Sequence, residues 1–334
     1  MWVAAAADEL PEGVVAVRIV AIGGGTGLSV LLRGLKGGAA DICAVVTVGD
    51  DGGSSGRLRR ELGLLPPGDF RSCIAALADD EALMTQLLQY RFGDGSVGGH
   101  ALGNLLLAAM ASITGSFERA VLELGRVLSI GGSIMPSTLE SVAVCAEVAA
   151  GTQEDRRPRT VRGESRVGEA GPGIRRVFLE PGNAPAYPGA VAVILRADLI
   201  VLGPGSLYTS VLPSLLVPGI RNAVCASSAL RVYVCNVAQQ GGETEGYSVE
   251  AHAQAIMENA GPGLYQYVLA NSNWPARGSV AYVYPDGRPR HYALIQADLL
   301  DTERPVRHDA TKLGTVLASL LTGGTPATSG AAEL

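Results

Sequence analysis

The sequence predicts an α/β chain: a Rossmann-like, doubly wound and mainly parallel sheet carrying a small β-rich insertion. Three observations lead there. Short apolar, β-branched runs repeatedly end in Gly-rich loops and are followed by residues with helical periodicity, as in "AVRIVAIGGGTGLSVLLRGLK" (16–36). Some of these runs, such as "DICAVVTV" (41–48), are apolar without alternation, the pattern of a strand buried on both faces in a parallel sheet. The rhythm breaks between about 134 and 180, where short strand-like pieces are joined by charged turns containing Gly and Pro.

Taken in order, 16–22 and 41–48 are strands, and the pattern from 69 to about 128 is helical. Its successive candidates are "DFRSCIAALAD", "EALMTQLLQYRF", "ALGNLLLAAMASI" and "SFERAVLELGRVL". The insertion contributes "ESVAVCAEVAAG", "RTVRGES" and "IRRVFLEP", with seven arginines between Arg156 and Arg176 set among acidic residues. A solvated hairpin face suits that charge run better than a binding surface. The α/β alternation returns with "ADLIVLGPGSLYTSVLPSLL", then "RVYVCNV" and the helix "SVEAHAQAIMENA". "QYVLAN" and "SVAYVYPDG" read as further strands and "DATKLGTVLASLLTG" as a closing helix. Residues 1–15 are expected to be a disordered extension, 16–323 a single α/β domain and 324–334 a disordered tail.

Composition narrows the function classes. Hydrophobic residues make up 47% but aromatics only 5%, and the 44 glycines cluster between apolar runs, as tight connections between buried elements require. The five cysteines show no C-x-x-C spacing, so neither a disulfide framework nor a zinc site is expected, and a reduced cytoplasm is the simplest compartment. A formal net charge of −6 argues against a broad nucleic-acid surface, and no window approaches the roughly 18 apolar residues of a membrane span. The N-terminal stretch lacks the basic n-region of a signal peptide.

The motifs fall at strand ends. "AIGGGTGLSVLL" places Gly24, Gly25, Thr26 and Gly27 where a strand exits and a helix begins, so that free backbone N–H groups and the helix dipole face an anion. It is neither a P-loop nor G-x-G-x-x-G, and a structural tight turn is the alternative to phosphate binding. "VGDDGGSSGRL" adds Asp50, Asp51, Ser54 and Ser55. The two carboxylates could hold a divalent cation, with Mg²⁺ favoured beside phosphates, or the segment could be an Asx turn entering a helix. Arg71 lies in the first turn of the next helix and suits a phosphate fork, though an exposed first-turn arginine is as ordinary. His100 and Asn104 are four apart, on one face of a helix. "VLGPGSLYTS" repeats the glycine device with Gly203, Gly205 and Ser206, and "VYVCNVAQQGGETEG" ends a strand in Asn236, Gln239 and Gln240. Four loops of one chemical character at four strand ends point to one shared ligand site.

These stretches, with "LPPGDFRSCIAALAD", "GHALGNLLLAAM" and "RHDATKL", occur in the order found in the YvcK-like gluconeogenesis factors, and the resemblance spans about Val17 to Leu321. That family resembles in turn the CofD 2-phospho-L-lactate transferases, which use Mg²⁺ and a guanosine dinucleotide donor. The resemblance implies the CofD-like fold and a cytoplasmic protein that binds a nucleotide sugar such as UDP-N-acetylglucosamine. It also implies a role in cell shape and wall-precursor supply during gluconeogenic growth, with wall-precursor enzymes as partners and a homodimer as the assembly. No reaction attaches to the YvcK branch; the alternative is a Mg²⁺-dependent transfer of a phospho-group from a nucleotide diphosphate to an acceptor hydroxyl.

Carried onto this chain, Gly24 to Gly27 resemble a diphosphate cradle, and Asp50 and Asp51 the acidic pair beside metal and substrate. Gly203 to Tyr208 resemble the loop lining the nucleotide, Asn236 the polar end of a neighbouring strand, and Arg307 a ligand-binding position. Arg307 also precedes Asp309, a ready N-cap, so a plain surface role is the other reading. The chain departs from the family pattern at Gly49, Phe70, Ser72 and Ala251.

Overall fold

The computed structural model of the chain describes residues 16–38, 40–79, 81–149, 159–170, 173–275 and 280–321. The expected N-terminal extension and tail, and Arg156 and Arg157 of the arginine-rich run, lie outside the described residues. The strands are β1 (Val17–Gly23), β2 (Ala40–Val46), β3 (Ser133–Pro136), β4 (Ala143–Val148), β5 (Arg159–Arg162), β6 (Ile174–Glu180), β7 (Leu199–Leu202), β8 (Leu230–Val234), β9 (Tyr267–Asn271) and β10 (Ala293–Ala297). The helices begin with α1 (Gly25–Leu35), α2 (Gly53–Leu62), α3 (Gly68–Leu77), α4 (Glu81–Gln89), α5 (Leu102–Thr114), α6 (Phe117–Val127) and α7 (Glu164–Val167). They continue with α8 (Pro188–Arg196), a π-helical turn (Leu207–Val211), α9 (Leu212–Leu215), α10 (Pro218–Ala226), α11 (Val249–Ala260) and α12 (Ala310–Leu321).

Seven strands form one sheet in the order β10-β9-β8-β7-β1-β2-β3, and every neighbouring pair is parallel. The reason is legible in β1: Ile19, Val20, Ala21 and Ile22 are all at most 3% exposed, so the strand has no polar face and must be covered on both sides. From β1 the chain winds outward to β2 and β3 on one side, and from β7 outward to β10 on the other. The order reverses between β1 and β7, which is where an open α/β sheet leaves a crevice beyond its carboxyl ends.

Antiparallel β4, β5 and β6 form the separate sheet of the insertion, in the order β5-β4-β6. It begins later than the expected 134, because Ser133–Pro136 pairs with β2 and closes the edge of the main sheet. "SVAYVYPDG" does not become a strand. Its described residues make a single bridge, Tyr282 to Ala238, with Gln239 N–H donating to the Ala281 carbonyl at 2.7 Å. That stretch braces a loop rather than extending the sheet, and the edge strand is instead "ALIQA" at β10, unexpected from the sequence. All five cysteines are free. Among the described residues no single helix is long and apolar enough to cross a membrane; α5 and α6 would be so only together, and they meet at 115°.

Candidate functional site

α6 and α11 are capped by Ser116 and Ser248, whose hydroxyls accept the N–H groups of Arg119 and Ala251, whereas α3, α5, α8 and α10 start without a side-chain cap. At the crevice, α1 and α2 start from Gly24 and Gly52, with no side chain capping either. Their first-turn N–H groups are therefore available to a ligand. The glycines of the first loop have separate physical reasons. Gly25 has φ 63°, a left-handed conformation that L side chains adopt rarely. A Cβ on Gly27 would sit 2.6 Å from the Pro204 carbonyl carbon and 2.8 Å from Gly205 Cα, so α1 and the second glycine loop touch backbone to backbone.

Two cavities open over this end of α1. The first, of 470 Å³, is lined by Thr26, Gly27, Val30, the 204–206 and 236–241 segments, and Val306 to His308. The second, of 310 Å³, is lined by Gly25, Thr26, Asp50, the 52–55 segment, Gly68, Asp69, Arg71, Ser72, Arg91 and Asn104. Thr26 belongs to both, so the N-terminus of α1 is the partition between them. Each volume is of ligand-pocket size.

The structure sorts the sequence candidates. Thr26, Gly27, Gly205, Ser206, Asn236 and Arg307 meet at the first cavity; Gly25, Thr26, Asp50, Ser54, Ser55, Arg71 and Asn104 meet at the second. Asn236 works as a clamp: its Oδ1 accepts from Gly205 N–H at 3.1 Å and its Nδ2 donates to the Gly205 carbonyl at 2.9 Å. Arg307 is exposed at the rim, and the N-cap reading of Asp309 also holds, with its carboxylate accepting Lys312 N–H at 2.9 Å. Ser54 and Ser55 lie inside the first turn of α2 and not in a loop. His100 is not on a helix, since α5 starts at Leu102, yet His100 Nδ1 and Asn104 Nδ2 both reach Ser54 Oγ at 3.0 Å.

Other candidates stay off the cavity walls. Gly24 faces Asp69, whose Oδ2 lies 2.5 Å from where a Cβ would stand. Gly203 adopts φ 74° and shapes its turn. Tyr208 is 3% exposed, and its hydroxyl meets the Tyr247 hydroxyl at 2.8 Å. His252 is fully buried, with Nδ1 on the Ser248 carbonyl at 2.8 Å. Asp50 and Asp51 diverge. Asp50 Oδ1 accepts Gly52 N–H at 2.9 Å beside the second cavity, whereas Asp51 Oδ1 accepts both Ser165 N–H at 3.0 Å and Ser165 Oγ–H at 2.8 Å. Adjacent residues of an extended segment point to opposite sides, and the second aspartate ties the insertion to the main sheet. The two carboxylates thus have different partners, and no group of three or more His, Cys, Asp or Glu among the described residues is placed to hold a metal ion.

Three acidic residues matter that the sequence did not single out. Asp69 lies against the first glycine loop, its Oδ2 facing Gly24, and burial, then the nearby Asp50 carboxylate, push its carboxyl up to about 6. Glu164, on α7 of the insertion, is pushed up to about 8 by burial, then by Asp50, Asp69, Asp51 and Glu243. Glu243 is 1% exposed and fills the second glycine loop. It accepts from Ser206 Oγ at 2.5 Å, Thr209 Oγ1 at 3.0 Å, Tyr208 N–H at 3.2 Å and Gln240 Nε2 at 3.2 Å.

The family model described as 2-phospho-L-lactate transferase CofD matches residues 19–320. The chain is 44% identical over 317 residues to a protein named gluconeogenesis factor from Bacillus subtilis, covering 91% of this chain and 98% of the relative. The chain belongs to the CofD-like family, in its gluconeogenesis-factor branch. A second gluconeogenesis factor, from Halalkalibacterium halodurans, is 43% identical over 326 residues, covering 93% of this chain and 98% of its own. A solved structure of a UPF0052 family member from Bacillus halodurans is similar with a TM-score of 0.83 at 43% identity, covering 92% of this chain and 100% of that one. The parallel sheet, its crevice and the small antiparallel sheet are thus the CofD-like fold carried by this branch.

Proposed function

We propose that this CofD-like chain is a cytoplasmic regulator that binds a nucleotide sugar of the UDP-N-acetylglucosamine kind and serves wall-precursor supply and cell morphogenesis during gluconeogenic growth. The observation that carries the reading is the pair of cavities sharing Thr26 across the uncapped start of α1. A diphosphate there would take the first-turn amides, each charge-assisted hydrogen bond being worth on the order of 1.5–3 kcal/mol. The nucleoside would lie against the 236–241 segment in the larger cavity, with Arg307 at its rim. Ligand occupancy would then shift the chain between states of different partner affinity.

Mg²⁺, if used, would be held by Asp50 together with the ligand's phosphates, since this ion is satisfied by one or two carboxylates and phosphate oxygens. It would screen the charge of the diphosphate. The family description and the Asp50, Asp69 and Glu164 carboxylates favour one alternative, transfer of a phospho-group from a nucleotide diphosphate to an acceptor hydroxyl. Calorimetry with UDP-N-acetylglucosamine, UDP-glucose and GDP, with Mg²⁺ and with EDTA, tests the binding reading. Submillimolar binding of a UDP-sugar is expected, and absence of binding by all three overturns it. Release of nucleoside monophosphate in the presence of Mg²⁺ and a cell extract, abolished by Asp50→Asn, would convert the regulator into the transferase.

A further inference from the structure

The smaller cavity holds two buried polar atoms without partners, Asn104 Oδ1 and Arg71 Nε. Asn104 is 1% exposed, and its Nδ2 is fixed on Ser54 Oγ at 3.0 Å. Ser54 Oγ also lies 3.0 Å from His100 Nδ1. Burial, then Arg57, lower the His100 pKa from its ordinary value, which favours the neutral ring. Asn104 Nδ2–H thus donates into a Ser54–His100 hydrogen bond, and Oδ1 is left as a buried acceptor with no partner. An unmet buried acceptor is costly, so it marks a position where a ligand donor belongs.

The charges around the two atoms are balanced, Asp50 and Asp69 against Arg71 and Arg91. A phosphate or other bare anion has only acceptors and would leave Asn104 Oδ1 unserved. A sugar hydroxyl donates to an amide or carboxylate oxygen while accepting from a guanidinium, which is the complement this wall presents. The cavity meets the α1 N-terminus through Gly25 and Thr26, so a group attached to a diphosphate on those amides is led straight into it.

We propose that the smaller cavity is the subsite for the glycosyl group of a nucleoside diphosphate sugar, read by Asn104 Oδ1 and Arg71 Nε. This rests on the nucleotide-sugar reading above and adds where and by what the sugar is recognised. Asn104 and Arg71 are then the residues that separate a nucleotide sugar from the bare nucleotide, because a site built for hydroxyls discriminates against a ligand that lacks them.

The test is calorimetric titration of the full chain with UDP and UDP-glucose, and in parallel with GDP and GDP-mannose. In the unsubstituted protein the sugar nucleotide of the preferred base is expected to bind about tenfold more tightly than its nucleoside diphosphate. Asn104→Leu, of similar volume without the amide, is expected to reduce that preference to about twofold or less while leaving the nucleoside diphosphate affinity within about twofold. Arg71→Lys, which keeps the charge and loses Nε, should do the same and guards against a folding defect in the first variant, with thermal melts run on both. If the nucleoside diphosphate binds but the sugar adds nothing, or if both variants keep the full preference, the subsite is wrong and the nucleotide reading stands. If no nucleotide binds at all, both fall.

Discussion

Gly24–Gly27 and Gly203–Ser206 leave neighbouring strands of one sheet and pack against each other, but their donors meet different partners. At the second loop the chain supplies its own anion. Glu243 collects two hydroxyls, one backbone N–H and one side-chain amide, and is closed off from solvent. At the first loop no side chain caps the start of α1, Asp69 lies against Gly24, and Gly25, Thr26 and Gly27 line the cavities. The difference teaches that a glycine loop at a helix N-terminus is an anion site whose occupant can be either a ligand or a carboxylate of the protein.

Breaking the filled loop should have the largest effect. Glu243→Ala leaves the buried Tyr208 N–H without its acceptor and the Ser206 and Thr209 hydroxyls with only each other, and is expected to lower stability by about 1–3 kcal/mol in urea unfolding. If the loop is an anion site by construction, 50 mM sulfate should recover part of that loss in the variant and change the unsubstituted protein little. Equal responses of the two proteins to sulfate would erase the distinction between the loops.

An effect no larger than that follows from wedging the two loops apart. Gly27→Ala sets a methyl against the backbone of Pro204 and Gly205, which cannot swing aside as a side chain would. The expected cost is about 1–3 kcal/mol in the same unfolding measurement, with nucleotide affinity lost because the first turn of α1 must shift. Unchanged binding by this variant would remove α1 from the site.

The comparison also shows what the sequence could reveal. Glycine clusters at strand ends, the doubly wound order and the helical layer from 69 to 128 were legible, because strand burial and turn chemistry are local. Ser54, Arg71 and Asn104 stand in those same local motifs, and the structure places all three at the second cavity. The carboxylate plugs could not, since Glu243 lies 37 residues from Ser206 and an aspartate at position 69 reads as a helix cap when only its neighbours are known. Nor could adjacency show the separate partners of Asp50 and Asp51, one carboxylate beside the cavity and the other on Ser165. Likewise "SVAYVYPDG" has the composition of a strand, and only the partner it meets, the 237–239 loop, shows it as a brace.

The subtlest prediction concerns Asp69, a carboxylate that lies against the open loop. Asp69 holds its proton up to about pH 6 in the folded protein because burial and Asp50 disfavour the charge, with Gly25 N–H and Arg71 opposing. An unfolded aspartate releases its proton near 3.9. Between these values the folded state binds more protons than the unfolded one, so this contribution to stability is fully present below about pH 4. It is lost as pH rises through about 6. Asp69→Asn removes the titration, so its melting temperature relative to the unsubstituted protein should rise between pH 4 and 6 and level off above. Binding should follow the same sign, since an ionised Asp69 repels a diphosphate on the neighbouring amides. UDP-glucose, whose diphosphate is a diester without an ionisation in this range, should bind severalfold more tightly at pH 5 than at pH 7.5. The Asn variant should flatten the part of that slope centred near pH 6, leaving the part near pH 8 that belongs to Glu164. A slope at pH 6 that survives the substitution would mean that Asp69 sits beside α1 without sharing its space with the ligand.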